Sequence, residues 1–196
     1  INTVTITGLT GNTTYYFWVR TVCGPGDFGE WSAVHSFTTA NLPVFTYCTP
    51  APTSVDGQGI VNVTVGSINN STGAEPGNYG NYSAQITNVA QGQSVTVAIT
   101  FNTLTFTYNT QIWIDWNNDS DFADAGENVF TGLSASSSPN TLLATFTVPL
   151  SAPLGEHRMR IGGADIDPLT GFGPGQGPCY NGSWGTFEDY TVNVTV

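Results

Sequence analysis

Apolar residues recur at every second position through most of this chain, and that period decides what it can fold into. Val95, Val97, Ile99 and Phe101 share one face of an extended segment, and Leu142, Ala144, Phe146 and Val148 share another. Val61, Val63 and Val65 repeat the pattern, as do Met159 with Ile161 and Tyr190 with Val192 and Val194. A period of two belongs to a half-buried strand. Between these runs lie clusters of Gly, Asn, Ser and Pro, such as residues 67–79 and 163–178, which read as turns and surface loops. No window has a helical period, so no helix longer than about two turns is expected. Short strands at roughly ten-residue spacing predict an all-β chain, with a jelly-roll-like β-sandwich over residues 47–196.

Composition narrows the partners. Charged residues make up 9% of the chain, against about 25% in ordinary globular domains. There is no Lys, the basic residues are Arg20, Arg158 and Arg160, and the net charge is -11. Such a chain cannot neutralise phosphates, which argues against nucleic acid and anionic membrane surfaces. No apolar run is long enough to insert into a membrane as a helix. Without a signal peptide, the chain reads as a processed or excised piece of something larger.

The chemistry concentrates in residues 112–127. The stretch opens as a strand, with Ile112, Ile114 and Trp116 on one face and Trp113 and Asp115 on the other. Asp115, Asn117, Asp119 and Asp121 then fall at every second position, followed by Asp124 and Glu127, with no Lys or Arg among them. Hard oxygen donors at i, i+2, i+4 and i+6 match the way a loop wraps around Ca²⁺. The EF-hand pattern is met at its first three ligands. Ser120 replaces its Gly, the closing acid falls one position late at Glu127, and a strand rather than a helix leads in. The expectation is a calcium loop on a β scaffold. Its ligands are Asp115, Asn117, Asp119 and Glu127 through side chains and Asp121 through carbonyl or side chain, with Asp124 competing with Glu127 to close the shell. The competing reading is a solvated acidic turn, since Asn and Asp are ordinary turn residues.

Residues 1–40 read as three strands, near residues 3–7, 15–22 and 33–38, with a turn over residues 8–13. Gly8-Leu9, Asn12-Thr13, Tyr15, Phe17, Val19-Arg20, Trp31-Ser32 and Ser36-Phe37-Thr38-Thr39 resemble the second half of a fibronectin type III domain. In that resemblance Tyr15 is the corner tyrosine that bonds back across the preceding turn. Forty residues of a half-sandwich cannot bury a proper core. Either the remaining strands lie upstream in the parent protein or these strands lean on the next domain. Residues 41–46 read as a linker.

Residues 47–196 resemble the GEVED domain of secreted proteins of Bacteroidetes-type bacteria. The residues that carry the resemblance are Tyr47-Cys48, then Trp113-Ile114-Asp115-Trp116-Asn117 with Asp119, Asp121-Phe122 and Gly126-Glu127. Arg158-Met159-Arg160 follows, and finally Gly185-Thr186-Phe187-Glu188-Asp189-Tyr190-Thr191-Val192. The resemblance implies a β-rich extracellular or cell-surface module of a large adhesin, protease or glycan-active protein exported by type IX secretion. It transfers no catalytic residues.

In that compartment Cys48 and Cys179, which border terminal strands, are expected to form a disulfide. Cys23 is left without a partner in this chain. Glu188 shares a face with Tyr190 and Val192 and needs a partner there, for which Arg158 or Arg160 is the expected cation. Asp165 and Asp167 read as loop residues. His35 and His157 lie in no hydrolase motif, and no His or Cys cluster suits zinc. The chain is therefore read as a non-catalytic, calcium-stabilised structural or adhesion segment whose partners are other domains of its parent, surface glycans or extracellular proteins. The alternative is a calcium-dependent carbohydrate-binding module of a secreted enzyme, with Trp18, Tyr79, Tyr180 or Trp184 stacking on sugar rings. Trp113 and Trp116 are expected to pack beside the loop.

Overall fold

A computed structural model of the chain describes residues 4–40, 46–53, 57–73, 76–166 and 177–196. The expected linker over residues 41–46 falls outside them except for Thr46, as do Asp167 and most of the loop that follows it. Two compact units result, Ile1–Phe45 and Thr46–Val196.

The first unit contains β1 (Thr14–Phe17), β2 (Val22–Gly24), β3 (Asp27–Phe28) and β4 (His35–Thr38). β1 pairs antiparallel with β4, and β2 pairs with β3. The hydroxyl of Tyr15 accepts a hydrogen bond from the Thr10 amide at 2.8 Å, across the turn that precedes β1. Two expectations are corrected. Residues 4–7 form no strand, and the run expected over residues 15–22 divides into β1 and β2. An extended segment becomes a strand only where a neighbour completes its ladder, and Val4 and Ile6 remain exposed. No described residue of this unit is buried, as so short a chain implies.

The second unit holds β5 (Gly59–Val65), β6 (Ile68–Ser71), β7 (Tyr79–Ala90), β8 (Ser94–Asn102), β9 (Tyr108–Ile114), β10 (Asn128–Leu133), β11 (Asn140–Thr147), β12 (Gly155–Asp165) and β13 (Gly185–Thr195). The helical content of the described residues is one 3₁₀ turn, Pro76–Asn78. A five-stranded sheet in the order β10-β9-β12-β13-β7 faces a four-stranded sheet in the order β11-β8-β5-β6. All pairings are antiparallel except β13 with β7. The alternating residues of both sheets meet in one core: Val97, Ile99, Phe101 and Phe146 from one side, Ile112, Ile114, Met159, Ile161 and Val192 from the other. In β5 the expected Val61 is displaced by Ile60, because the register with β8 shifts between Ile60 and Asn62. A bulge of this kind reverses the parity of the residues before it.

The five-stranded sheet is covered on its second face as well. Every residue of β9 is buried. The far side carries a smaller cluster of Trp113, Phe122 and Phe187, against which Tyr47, Tyr79 and Tyr180 pack. Gly162 lies opposite Phe187, and a Cβ there would collide with the phenyl ring. The acidic loop joins this second face.

Candidate functional site

The acidic loop leaves β9 at Asp115 and returns at Glu127, and both ends are fixed by backbone bonds. The Ile114 amide donates to the Glu127 carbonyl at 2.8 Å, and the Asp115 amide donates to the Arg158 carbonyl at 3.0 Å. The Asp115 side chain is fully buried. Its Oδ1 accepts from the Asn118 amide at 2.6 Å, and its Oδ2 accepts from the Ser120 amide at 2.9 Å and the Tyr47 hydroxyl at 2.6 Å. These bonds require a tight reversal, which Asn118 and Ser120 provide with φ of 59° and 73°. Ser120 thus adopts the left-handed conformation for which an EF-hand loop reserves glycine at its sixth position.

The two-residue spacing has a direct structural use. Asn117 Oδ1 accepts from the Asp119 amide at 3.0 Å, Asp119 Oδ1 from the Asp121 amide at 3.1 Å, and Asp121 Oδ1 from the Ala123 amide at 2.8 Å. Each side chain therefore closes an Asx turn onto the residue two positions on. Asn117 Nδ2 donates to Asp119 Oδ2 at 3.0 Å and to Asp124 Oδ2 at 2.5 Å, so one neutral amide bridges two carboxylates. At the far end, Glu127 Oε1 accepts from the Trp116 amide at 3.0 Å and Oε2 from the Asp124 amide at 3.2 Å. Burial raises the Glu127 carboxyl above its ordinary range; the two amides oppose the shift, and the charges of Asp115 and Asp124 add to it.

The six sequence-predicted ligands therefore lie in one loop, divided between two tasks. Asp115 and Glu127 are buried and hold the loop to the sheet, whereas Asn117, Asp119, Asp121 and Asp124 line its outer course. The donor chemistry suits a hard cation. As the loop stands, no three His, Cys, Asp or Glu side chains among the described residues converge as a ligand set. The Asn117 amide nitrogen holds Asp119 and Asp124 together.

Behind the loop lies a centre that sequence reasoning assigned to the wrong acid. Arg160 is fully buried and binds Asp189 in bidentate fashion, Nε to Oδ1 at 2.7 Å and Nη2 to Oδ2 at 2.8 Å. Arg158 Nη1 reaches the same carboxylate at 3.1 Å, and the Tyr79 hydroxyl donates to it at 2.8 Å. The Arg158 guanidinium also lies 4.7 Å from the Tyr47 ring centroid, and that of Arg160 lies 5.0 Å from that of Phe122. Burial pushes the Tyr79 hydroxyl up to about 12, aided by the Asp189 charge and the bond to it and opposed by Arg160 and Arg158. Tyr47 is raised too, first by burial and then by its bond to Asp115.

Glu188 points the other way. Its side chain accepts from the hydroxyls of Thr72 at 2.8 Å and Tyr190 at 2.6 Å. The expected pairing of Glu188 with an arginine is thus corrected to Asp189, and the reason is parity. Arg160 faces Asp189 across the β12–β13 ladder, while Glu188 faces Ile161. Side chains directly opposite in a ladder share a face.

Cys48 and Cys179 form a disulfide with a Cα–Cα distance of 5.6 Å, and Cys23 is free and exposed. Trp113 and Trp116 are both buried, in keeping with a packing role. Tyr79 and Tyr180 are half-buried, and Tyr180 stacks on Phe187. The Asp165 amide donates to the Trp184 carbonyl at 3.2 Å. His157 bridges the Asp115 and Pro153 carbonyls, at 3.0 and 2.8 Å, and meets Trp116 edge-on.

Together these features define a disulfide-pinned β-sandwich module with an acidic loop strapped to one sheet. Residues 109–193, which run from β9 into β13 and include the whole loop, match the family model of the GEVED domain. No curated protein matches the chain. The matched region ends in the strand where Glu188 turns to the core and Asp189 to the arginines.

Proposed function

We propose that this chain is a non-catalytic extracellular module of a larger secreted or cell-surface protein, stabilised by calcium and serving as a structural or adhesion segment. The observation that carries this reading is the employment of the buried acids. Asp115, Glu127, Glu188 and Asp189 each join separate segments through the hydrogen bonds described above. Groups so committed serve cohesion. The disulfide and the GEVED match support an oxidising, extracellular setting. A bound Ca²⁺ would be held by Asp115, Asn117, Asp119 and Glu127 through side-chain oxygens and by Asp121 through its carbonyl, its side chain or both, with Asp124 competing with Glu127 to close the shell.

A second reading, a calcium-dependent carbohydrate-binding module, is favoured by one observation: the exposed indoles of Trp18 and Trp31 line a surface groove with Ser32. A glycan array probed with the labelled chain, with and without calcium, separates the two. The structural reading expects no calcium-dependent retention on any glycan class. Retention abolished by Trp18→Ala or Trp31→Ala would overturn it in favour of the second.

A further inference from the structure

The disulfide sits in an asymmetric setting. Cys179 is exposed, whereas Cys48 is half-buried against the arginine centre. Arg160 Nη1 donates toward Cys48 Sγ at 3.4 Å and also donates to the Pro178 carbonyl at 2.7 Å. Asp189 compensates part of that cation's charge, with Arg158 beside it, and Asp115 is kept occupied by Tyr47 and the loop amides. The group in direct contact with Cys48 is therefore a cationic donor. A thiolate formed there is stabilised, and a more stable thiolate is the better leaving group in thiol–disulfide exchange.

We infer that the Cys48–Cys179 bridge is a polarised, exchangeable disulfide, in which a low-molecular-weight thiolate attacks Cys179 and expels Cys48 as the thiolate received by Arg160. The attacking sulfur forms a bond to Cys179 Sγ as the Cys48–Cys179 bond breaks, and its electron pair stays on Cys48 Sγ. The product is a mixed disulfide on Cys179 beside a free Cys48 thiolate, and no further oxidant or reductant is consumed. Exposure and charge direct the attack to the same sulfur. Opening the bridge does not release the segment that carries Cys48. The Ala51 amide still donates to the Tyr180 carbonyl and the Thr53 amide to the Gly182 carbonyl, both at 2.9 Å, and Tyr47 still binds Asp115. The two cysteines remain neighbours, so Cys48 can attack the mixed disulfide and restore the bridge. Cys179 is thereby a reversible modification site.

The test uses the 196-residue chain with Cys23→Ser, which removes the other exposed thiol. The folded protein is exposed to reduced glutathione, quenched with acid at intervals, alkylated with N-ethylmaleimide and mapped by mass spectrometry. Glutathione is expected mainly on Cys179 and maleimide mainly on Cys48, since the thiolate beside Arg160 is the better leaving group. Equal labelling of the two cysteines, glutathione mainly on Cys48, or exchange that proceeds only at the rate of global unfolding would each overturn the inference.

Discussion

Asp189→Asn removes one charge from the centre on which the second face of the five-stranded sheet is built. Asp189 accepts two bonds from Arg160, one from Arg158 and one from Tyr79. An Asn offers a single acceptor oxygen and turns an amide N–H toward a guanidinium. Arg160 has 0% side-chain exposure and cannot regain water without opening the sheet, whereas Arg158 retains 22%. Stripping one partner from a buried ion pair costs about 3–5 kcal/mol, because the remaining charge stays desolvated. That is a large part of the roughly 5–15 kcal/mol that holds a domain folded. The expected fall in Tm is about 6–20 °C at this chain length. Arg158→Ala provides the comparison and should cost about 1 kcal/mol or less, since a partly exposed pair contributes little. Urea unfolding at constant m-value measures both. If Asp189→Asn costs no more than Arg158→Ala, the bidentate pair is not what secures this face.

Three further outcomes follow from the same geometry. Asn117→Asp removes the amide bridge between Asp119 and Asp124 and adds a third carboxylate, so in chelator it should lose about 1–2 kcal/mol, at about 1 kcal/mol per close like-charge pair in water; added calcium should restore the loss, and a calcium-independent loss would count against a cation in the loop. Tyr79, held up to about 12, and Tyr47, raised in the same direction, keep their protons after the unfolded chain has released its own near pH 10; the folded state then binds more protons, so stability should fall as pH rises from about 10 toward 12, and Tyr47→Phe with Tyr79→Phe should flatten that slope in pH-dependent urea melts. Replacing Cys48 and Cys179 together by Ser should cost roughly 5 kcal/mol on the chain-entropy account of so long a loop, read as a lower urea midpoint; a shift matching less than 1 kcal/mol would mean that the bridge does not restrain the unfolded chain.

The sandwich was legible because burial imposes a period of two on any strand with one covered face, and Val95 to Phe101 and Leu142 to Val148 display it without interruption. The placement of Glu188 in the core followed from the same parity. Its partner did not, because Arg158 and Arg160 share a parity of their own, and only the register of β12 against β13 decides which acid they face. The bulge that exchanges Val61 for Ile60 leaves no mark in composition. Residues 4–7 alternate like a strand but find no ladder partner among the described residues. Tyr47 and Tyr79 were obscured because a tyrosine far along the chain gives no local sign of the carboxylate it will meet. In the acidic loop the regular spacing supports two chemistries at once, since side-chain oxygens two residues apart can close Asx turns or gather around a cation.

Calorimetric melting of the unaltered chain in excess calcium and in excess chelator, beside Asp119→Ala under both conditions, separates those chemistries. Binding to the folded state alone contributes about 2.7 kcal/mol at a hundredfold excess over Kd, or a rise in Tm of about 5–11 °C for a chain of this size. Extracellular modules bind calcium at about 10⁻⁴–10⁻³ M, so a hundredfold excess corresponds to about 10–100 mM calcium. The account predicts that calcium raises the Tm of the unaltered chain by several degrees and leaves Asp119→Ala near its chelator value. Equal melting temperatures in calcium and chelator for the unaltered chain would contradict it, and the loop would then be a ladder of Asx turns and nothing more.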